Sequence, residues 1–427
     1  MNKLLLAVFV SFTLPIFSQT KSIKKSPPLI EVTNSKEGMS AERLQRIDQM
    51  LAKAVAEDEI PGAVALIARN GKIVYYKAFG MADNESNRAL KRNDIFRIAS
   101  QTKAITSTGV MMLWEEGKFR LDDPISKYLP EFKDTQVLDS LYEDGTYSTI
   151  PAKRPITIRH LLTHTSGLGY GVIDGSPKIK RIYKDAGIVD LYTTENISIE
   201  ENIKKLAKLP LHHHPGDKYT YSEGLDVLGY FIEKISGMPL DQFFKTRIFN
   251  PLGMSDTWFY LPSAKEKRLV SIQTKKEGKW TKFPTTFYDP DYPIKGAKAF
   301  FSGGAGLSST ARDYATFLQM YLNNGELNGV RLLSRTTVQF MMANHIGELW
   351  GNGSYYGLAF GVLDQKGQDK GGEGSIGTFN WGGYFNTQYF ADPKEKIIGI
   401  ILKQTQGISG DETAWKFRQL VFQAVDD

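Results

Sequence analysis

The chain contains no cysteine among its 427 residues. This absence excludes disulfide bonds, a lipid anchor on cysteine and a thiol nucleophile. A strong excess of one charge is also missing, because 53 lysine and arginine residues stand against 47 acidic ones and give a formal net charge of +6. No basic run is interleaved with aromatic residues, so we do not expect nucleic acid as a partner.

The N-terminus carries a sustained apolar run over residues 4–17, directly after Lys3. The run is too short and too interrupted by polar residues for a comfortable membrane span. A basic start and a small residue at the exit of the run are typical of a secretory signal peptide, which we predict over residues 1–18. We therefore expect an exported protein, periplasmic or secreted, without stable membrane insertion after the signal is cleaved.

The remaining chain divides into a short linker and one large domain. Residues 19–40 are polar and include Pro27-Pro28, and we predict that they form a flexible tether. Residues 41–427 follow as a single domain. Hydrophobic residues make up 41% of the sequence, which is enough for a large core.

Two hairpins are predicted, one near each end of the domain. Between residues 63 and 76, two β-rich runs flank Asn70-Gly71, which is a strong hairpin signal. Near the other end, residues 385–390 and 397–402 flank the polar stretch 392–395 in the same way.

Helical spacing of apolar residues dominates the middle of the chain. It predicts helices over 40–56, a short one within 156–167, a mostly helical region over 197–262, and further helices over 311–323, 334–342 and 412–424, with loops over 122–154. Strands near both ends with helices between them favour an α/β (α+β) fold, in which one antiparallel sheet is built from both termini and flanked by helices. The predicted sheet lobe covers about 41–100 and 345–427, and an inserted, mostly helical lobe covers about 101–344. A cleft between two lobes is the default place for a site.

The first chemical signal is a serine and a lysine three residues apart, Ser100 and Lys103, at the start of a helical pattern that ends at Gly117. On a helix these side chains lie on one face, a single turn apart. Burial disfavours the charged form of a lysine, and a neutral amine can take the proton of a serine, which then becomes a nucleophile. The spacing alone is weak evidence, because Ser18–Lys21 and Ser22–Lys25 repeat it by chance.

The histidines offer an alternative reading as metal ligands. His212-His213-His214 are adjacent, and adjacent side chains on an extended chain point to opposite faces, whereas metal ligands are usually spaced. His160 and His164 have the spacing of a zinc-protease helix, but Leu161 stands where such a site needs glutamate. We therefore expect packing or loop contacts from these histidines, and neither a metal nor an organic cofactor.

Two further stretches extend the first signal: one runs from Tyr219 to Gly229, and the other is Phe379-Asn380-Trp381-Gly382-Gly383-Tyr384. Together with Ser100-x-x-Lys103, their order and spacing resemble the serine β-lactamase and penicillin-binding-protein superfamily. The resemblance is greatest to its class C-like branch, which includes β-lactamase-fold esterases, DD-carboxypeptidases and D-aminopeptidases. The resemblance covers nearly the whole chain after the tether and includes the short sequence motifs at residues 157–168, 251–254 and 306–311.

The resemblance implies a role for each of the motif residues. Ser100 would be the acylated nucleophile, and Lys103 would activate it or hold the proton network. Tyr221, rather than the competing Tyr219, would share the base role and pass a proton to the leaving group. The oxyanion would lie between the backbone N–H groups of Ser100 and Tyr384, with Tyr384 on an edge strand.

Two departures from the superfamily pattern bear on the substrate. Trp381 stands where lysine or histidine usually helps to hold a substrate carboxylate, and the resulting Trp381-Gly382-Gly383 resembles the esterases. Glu223 replaces the usual asparagine, and an ionised carboxylate accepts but does not donate hydrogen bonds. We expect these four residues to contact the substrate, and we expect Glu223 to repel a substrate carboxylate.

These residues predict an exported serine hydrolase that forms an acyl-enzyme on Ser100. The leading expectation is a carboxylesterase-like enzyme for a small ester. The first alternative is a D-alanyl carboxypeptidase, D-aminopeptidase or weak β-lactamase, acting on a peptide or amide and needing a cation in the cleft. A non-catalytic penicillin or peptidoglycan sensor is the second alternative. The chain has no Gly-x-Ser-x-Gly motif, which argues against an α/β-hydrolase triad.

Overall fold

A nine-stranded sheet forms the centre of the protein. The computed structural model describes residues 20–32, 37–351 and 353–427. The predicted signal peptide over 1–18 therefore lies outside the described residues. The strands are β1 (Ile30–Glu31), β2 (Gly62–Arg69), β3 (Lys72–Asp83), β4 (Arg88–Ala89), β5 (Phe96–Arg97), β6 (Gln136–Leu141), β7 (Tyr147–Pro151), β8 (Gln273–Lys276), β9 (Lys279–Lys282), β10 (Ser308–Ser309), β11 (Glu326–Leu327), β12 (Val330–Arg331), β13 (Ser354–Tyr356), β14 (Gly361–Leu363), β15 (Phe379–Gly383), β16 (Thr387–Asp392) and β17 (Ile397–Leu402).

The helices lie mostly between the two groups of strands. They are α1 (Ala41–Ala56), α2 (Thr102–Glu115), α3 (Ile158–Leu162), α4 (Pro177–Asp185), α5 (Ile199–Leu206), α6 (Gly224–Ser236), α7 (Leu240–Phe244), α8 (Asn250–Leu252), α9 (Ser263–Glu266), α10 (Tyr292–Lys295), α11 (Ala311–Leu322), α12 (Arg335–Met341), α13 (Gln365–Asp369) and α14 (Thr413–Gln423). A π-helical turn, Lys245–Phe249, joins α7 to α8. No helix in the described part of the chain is long and apolar enough to cross a membrane.

Strands from both ends of the chain meet in the middle of the sheet. The strand order is β1-β3-β2-β17-β16-β15-β14-β13, with β4 added beside β3. The pairing of β2 with β17 joins the N-terminal hairpin to the C-terminal one, and both strands run antiparallel to each other. Only the short β1 runs parallel to its neighbour, β3. The predicted α/β (α+β) fold with one sheet from both termini is confirmed.

Alternate residues of β2 enter two different hydrophobic clusters, so the strand is buried on both faces. On one face, Ala65 and Ile67 pack with residues of α1 and α14 such as Leu51 and Phe417. On the other, Leu66 belongs to the large cluster that contains the apolar side of α2 and α11. Helices therefore cover both sides of the sheet, and α2 carries its N-terminus to the end of β15, where the candidate site lies.

Two segments differ from the sequence prediction. The region 122–154, predicted as loops, contains the β6–β7 hairpin, whose first strand is mostly half-buried and whose second strand is mostly exposed. Part of the predicted tether packs on the domain rather than standing free: Leu29 is buried, β1 pairs with β3, and the Ser26 hydroxyl donates to the Glu326 carboxylate at 2.6 Å.

Candidate active site

Ser100 lies in a tight turn between β5 and α2. The turn is a short 3₁₀ segment, Ala99–Gln101, and α2 begins two residues after Ser100. Ala99 has a φ of +45°, in the left-handed region that side chains other than glycine rarely adopt. Strained backbone of this kind is held in place only by its surroundings and is concentrated at functional sites. It presents Ser100, which is half-buried, to a cavity.

Lys103 lies in the first turn of α2, with its side chain almost entirely buried. Its Nζ is 3.3 Å from the Ser100 Oγ and donates to the Gly304 carbonyl at 2.8 Å. The Gly304 amide in turn donates to Asp226 at 3.1 Å. The amino group of Lys103 is thus fixed by the Gly304 carbonyl, and the predicted one-turn contact between the serine and the lysine is present.

Tyr221 lies on the other side of Lys103. The Lys103 Nζ is 4.7 Å from the centre of the Tyr221 ring and 5.6 Å from the centre of the Tyr170 ring. The competing Tyr219 instead stacks on Trp350, with ring centres 5.8 Å apart. Tyr221, and not Tyr219, is therefore the tyrosine that the structure brings to Lys103 and into the cavity wall.

A buried histidine, His164, packs against the ring of Tyr221. The centre of the His164 ring is 4.6 Å from that of Tyr221, and its Nδ1 accepts the backbone N–H of Ser222 at 3.2 Å. Complete burial lowers the pKa of His164 well below its ordinary value. A neutral imidazole that accepts at Nδ1 fixes the backbone on which Tyr221 is carried. His164 is thus a packing residue of the site.

The end of β15 lies against the turn that carries Ser100. A Cβ atom added to Gly383 would overlap the Ile98 carbonyl and the Thr387 hydroxyl, so only glycine permits this approach. Tyr384 follows directly and lines the same cavity as Ser100, and the role of its backbone N–H toward an oxyanion stays a prediction. The predicted edge strand is wrong, because β15 lies between β14 and β16; its pairing with β14, however, stops at Asn380 and leaves the Trp381–Gly383 edge open.

These groups border a cavity of about 790 Å³. Its residues near the nucleophile are Ser100, Ile173, Leu191, Tyr192, Tyr221, Trp381, Gly382, Gly383 and Tyr384, and it continues past the β15–β16 turn to residues of α14 that include Phe417 and Arg418. The lining therefore combines aromatic and apolar side chains with polar ones, among them Asn380, Gln388 and Asp411.

Glu223 occupies a different place from the one predicted. It precedes α6, is 1% exposed and does not line the cavity. Burial and the neighbouring Asp190 carboxylate raise the pKa of Glu223 well above its ordinary value. A neutral, buried carboxyl group neither contacts nor repels a substrate, so the predicted substrate contact of Glu223 is not seen, and the argument from its charge does not hold.

The three adjacent histidines make separate contacts in the loop before Tyr221. The His212 Nε2 lies 3.0 Å from Asp174, and the His213 Nε2 lies 2.9 Å from the Thr220 hydroxyl. His214 accepts the backbone N–H of Lys153. Within the described ranges, no three histidine or carboxylate side chains converge as metal ligands would.

Several residues of the site were not identified from the sequence. Tyr170, Asp190 and Tyr192 come from loops, and the Gly304 carbonyl that holds Lys103 lies about two hundred residues away along the chain. Spacing cannot predict such contacts. Among these residues, only Tyr170 could have been suspected from the sequence, because it follows directly after the motif at 157–168 that is part of the resemblance.

Comparisons with known proteins show the family of the chain. A family model described as Beta-lactamase matches residues 47–423. The chain is 31% identical over 392 residues to esterase EstB of Burkholderia gladioli, with 86% of this chain and 92% of the esterase covered. It is 30% identical over 338 residues to a putative D-alanyl-D-alanine carboxypeptidase of Escherichia coli O157:H7, with 74% and 73% covered.

Solved structures give the same picture of the fold. EstCE1, described as a hydrolase with promiscuous acyltransferase activity, superposes with a TM-score of 0.76 at 30% identity, with 89% of this chain and 98% of EstCE1 covered. An esterase and a putative peptidase thus occur among the relatives, so the family alone does not decide between the two activities.

Proposed function

The chain belongs to the beta-lactamase family of serine hydrolases, and from this membership we propose that it hydrolyses a small, neutral carboxylic ester through an acyl-enzyme on Ser100. The observation that carries the proposal is the contact of Ser100 with Lys103 at 3.3 Å, beside Tyr221, at the wall of a cavity of about 790 Å³. A serine, a base and a tyrosine around one cavity are the parts that acyl transfer needs.

In the proposed reaction, the Ser100 Oγ attacks the ester carbonyl while its proton passes to the Lys103–Tyr221 pair. The backbone N–H groups of Ser100 and Tyr384 hold the oxyanion. The C–O bond then breaks, and the alcohol leaves with the proton that the pair returns. Water attacks the acyl-enzyme with the same pair as its base, which releases the acid and restores Ser100.

The charges at the cavity favour a neutral substrate. Among the described residues that line the cavity, Arg418 is the only lysine or arginine, and it lies on α14 rather than beside Ser100. Its guanidinium already donates to the Glu373 carbonyl at 2.6 Å. Trp381 lines the same cavity as Ser100 and stands at the motif position where the superfamily pattern has lysine or histidine. A substrate carboxylate near the scissile bond therefore finds no free cation, and the name of esterase EstB supports the same choice.

A D-alanyl carboxypeptidase, D-aminopeptidase or weak β-lactamase is the second candidate. Arg418 favours it, because it is a cation in the same cavity, and a substrate long enough to pass the β15–β16 turn would bring a carboxylate toward α14. The putative carboxypeptidase of Escherichia coli supports this alternative by its name. A sensor that binds without turnover is the third candidate.

The experiment compares kcat/KM for 4-nitrophenyl butyrate, a D-alanyl-D-alanine peptide and a chromogenic cephalosporin, using the wild type, Ser100→Ala and Arg418→Gln. We expect turnover of the ester at least about 1000-fold above the peptide, loss of turnover in Ser100→Ala, and little effect of Arg418→Gln. A preference for the peptide that depends on Arg418 would replace the proposal with the second candidate. Binding of the cephalosporin without any turnover would support a sensor.

We also propose that the protein is exported, either to a periplasm or out of the cell. The support is the basic start and apolar run of residues 1–18, as a secretory signal would have. Mass spectrometry of the protein recovered from the periplasm or medium should find a new N-terminus near Ser18. An intact Met1 in the cytosolic fraction alone would contradict export.

A further inference from the structure

Two carboxyl groups lie together behind the cavity wall. Glu223 is 1% exposed and Asp190 is 4% exposed, and the two side chains are within hydrogen-bond reach of each other. Two ionised carboxylates cannot share such a place at low cost, so one of them keeps a proton. Asp190 accepts two backbone N–H groups, one on each oxygen, whereas the Glu223 Oε1 has no hydrogen-bond partner among the described residues, so Glu223 is the group that keeps the proton. Burial and Asp190 accordingly raise the pKa of Glu223 above its ordinary value.

Four other charged or titratable groups lie around Glu223, and none of them hydrogen-bonds to it. Asp226 accepts from the Ser302 hydroxyl and from the Gly304 amide with the same oxygen, Oδ1, at 2.5 and 3.1 Å. Lys103 is directed to Ser100 and Gly304. The remaining titratable neighbours are the buried phenols of Tyr170 and Tyr183. Asp190 is therefore the group placed to accept the proton of Glu223.

Asp190 holds a turn that forms part of the active site. Its carboxylate accepts the backbone N–H of Gly171 at 2.9 Å and that of Val172. The backbone N–H of Glu223 donates to the Gly169 carbonyl at 3.1 Å. Glu223 and Asp190 therefore hydrogen-bond to opposite ends of the segment 169–172. Both carboxylate oxygens of Asp190 are thereby used to fix the turn.

The turn 169–173 places two side chains at the site. The Tyr170 ring lies 5.6 Å from the Lys103 Nζ and 5.6 Å, between ring centres, from Tyr221. Ile173 lines the cavity beside Ser100. Any movement of this turn changes the packing of Tyr170 against the catalytic pair and the shape of the wall at Ile173.

We propose that Glu223 and Asp190 are positioning residues that share one proton and thereby hold the turn 169–173 against Lys103 and Tyr221. When Glu223 loses the proton, its donation to Asp190 ends and the two carboxylates repel each other. The turn then loosens, so the activity falls at alkaline pH. The proposal rests on the proposed ester hydrolysis only for its kinetic readout.

The kinetic test compares the pH profiles of kcat and KM for 4-nitrophenyl butyrate in the wild type, Glu223→Gln and Asp190→Asn. Glutamine is close in shape to a protonated glutamate and keeps a donor that does not titrate. We expect Glu223→Gln to stay within about threefold of the wild type at pH 7 and to retain activity at least one pH unit further into the alkaline range. Asp190→Asn leaves one acceptor oxygen for the two backbone N–H groups and places an amide donor against the other, so it should lower kcat at every pH.

A second measurement does not depend on turnover. Hydrogen exchange of the Gly171 and Val172 amides reports directly on their bonds to Asp190. In the wild type we expect their protection to fall with rising pH relative to Glu223→Gln at the same pH. Glu223→Leu, which removes the donor, should lower the protection at every pH.

The outcomes separate the two proposals. Identical pH profiles and identical amide protection in the wild type and Glu223→Gln would overturn the role of the pair. A Glu223→Gln protein that is folded but inactive at every pH would overturn it as well. If the wild type hydrolyses no ester, the proposed function fails, whereas the exchange measurement still decides the role of Glu223 and Asp190. Should Glu223→Leu not fold, the comparison with glutamine decides alone.

Discussion

Tyr221 faces the ammonium of Lys103 with its ring and rests on His164. The distance from the Lys103 Nζ to the ring centre is 4.7 Å, and the ring centres of Tyr221 and His164 are 4.6 Å apart. A tyrosine hydroxyl can accept and donate a proton, whereas its ring can only pack against neighbours. The hydroxyl and the ring of Tyr221 therefore have separate roles, one in proton transfer and one in packing.

Replacing Tyr221 with phenylalanine tests the hydroxyl alone. We expect Tyr221→Phe to lower kcat by about 10²- to 10⁴-fold with little change in KM, because the ring still packs on His164 while the proton acceptor is lost. Steady-state kinetics on a neutral ester measure both constants. The matched control is Tyr219→Phe, whose ring stacks on Trp350, and which should cost less than about threefold. Equal losses in the two variants would contradict the role of Tyr221.

At this scale, the sequence predicted the residues that interact over short distances or belong to a motif. Ser100 and Lys103 were predictable because helical geometry brings residues three apart onto one face. Glu223 was placed wrongly because the sequence does not show that its side chain turns inward, toward Asp190. That partner is thirty-three residues earlier in the chain, and no local pattern connects the two.

At the scale of elements, β15 and the turn at Ser100 form one functional unit. Gly383 touches the Ile98 carbonyl, two residues before the nucleophile, whereas a Cβ at the neighbouring Gly382 would have its nearest contact at 3.3 Å, with the Thr387 carbonyl oxygen. The spacing between the two backbones therefore depends on Gly383 much more than on Gly382.

Alanine at these two glycines gives a matched comparison. Gly383→Ala should push β15 away from the turn and misplace the Tyr384 N–H, with a loss of kcat of about 10²-fold or more. Gly382→Ala requires an adjustment of only a few tenths of an ångström and should lose much less. Kinetics of both variants, with circular dichroism to confirm folding, measure the difference. An equal or larger loss in Gly382→Ala would show that the contact at Gly383 does not set the geometry.

The helices and hairpins that the sequence predicted have strong periodic or turn signals. The helix α1, the hairpin around Asn70-Gly71 and the β16–β17 hairpin all agree with the structure. The β6–β7 hairpin was missed because its apolar residues do not alternate with polar ones: Val137 and Leu138 are adjacent, and Tyr147 and Ile150 are three residues apart. The hairpin forms through backbone hydrogen bonds between the two strands, and residue composition does not reveal such bonds.

For the whole molecule, the ends of the chain are tied together at Arg69, whose side chain is 5% exposed. Its guanidinium donates to the Glu37 carbonyl at 3.0 Å and to the Asp427 carboxylate at 2.7 Å, and it lies 3.5 Å from Glu395. With no cysteine in the chain, contacts of this kind and the core must hold the two termini on the sheet.

Removing this tie should destabilise the whole fold. We expect Arg69→Met to lower the free energy of unfolding by about 1–3 kcal/mol, because it removes several hydrogen bonds from a buried guanidinium to partly exposed acceptors. Arg312→Met is the control, since Arg312 is half-exposed and only pairs with Glu31 at 3.4 Å; it should cost less than about 1 kcal/mol. Urea unfolding of both variants measures the change, and equal effects would count against a role for Arg69.

The most direct test of the central claim is the intact mass of the protein after brief mixing with a neutral activated ester and, separately, with a penicillin. The account predicts an acyl adduct or rapid turnover with the ester, absent in Ser100→Ala, and no stable adduct with the penicillin. A stable penicillin adduct on Ser100, without reaction of the ester, would contradict the account and identify a penicillin-binding peptidase or sensor.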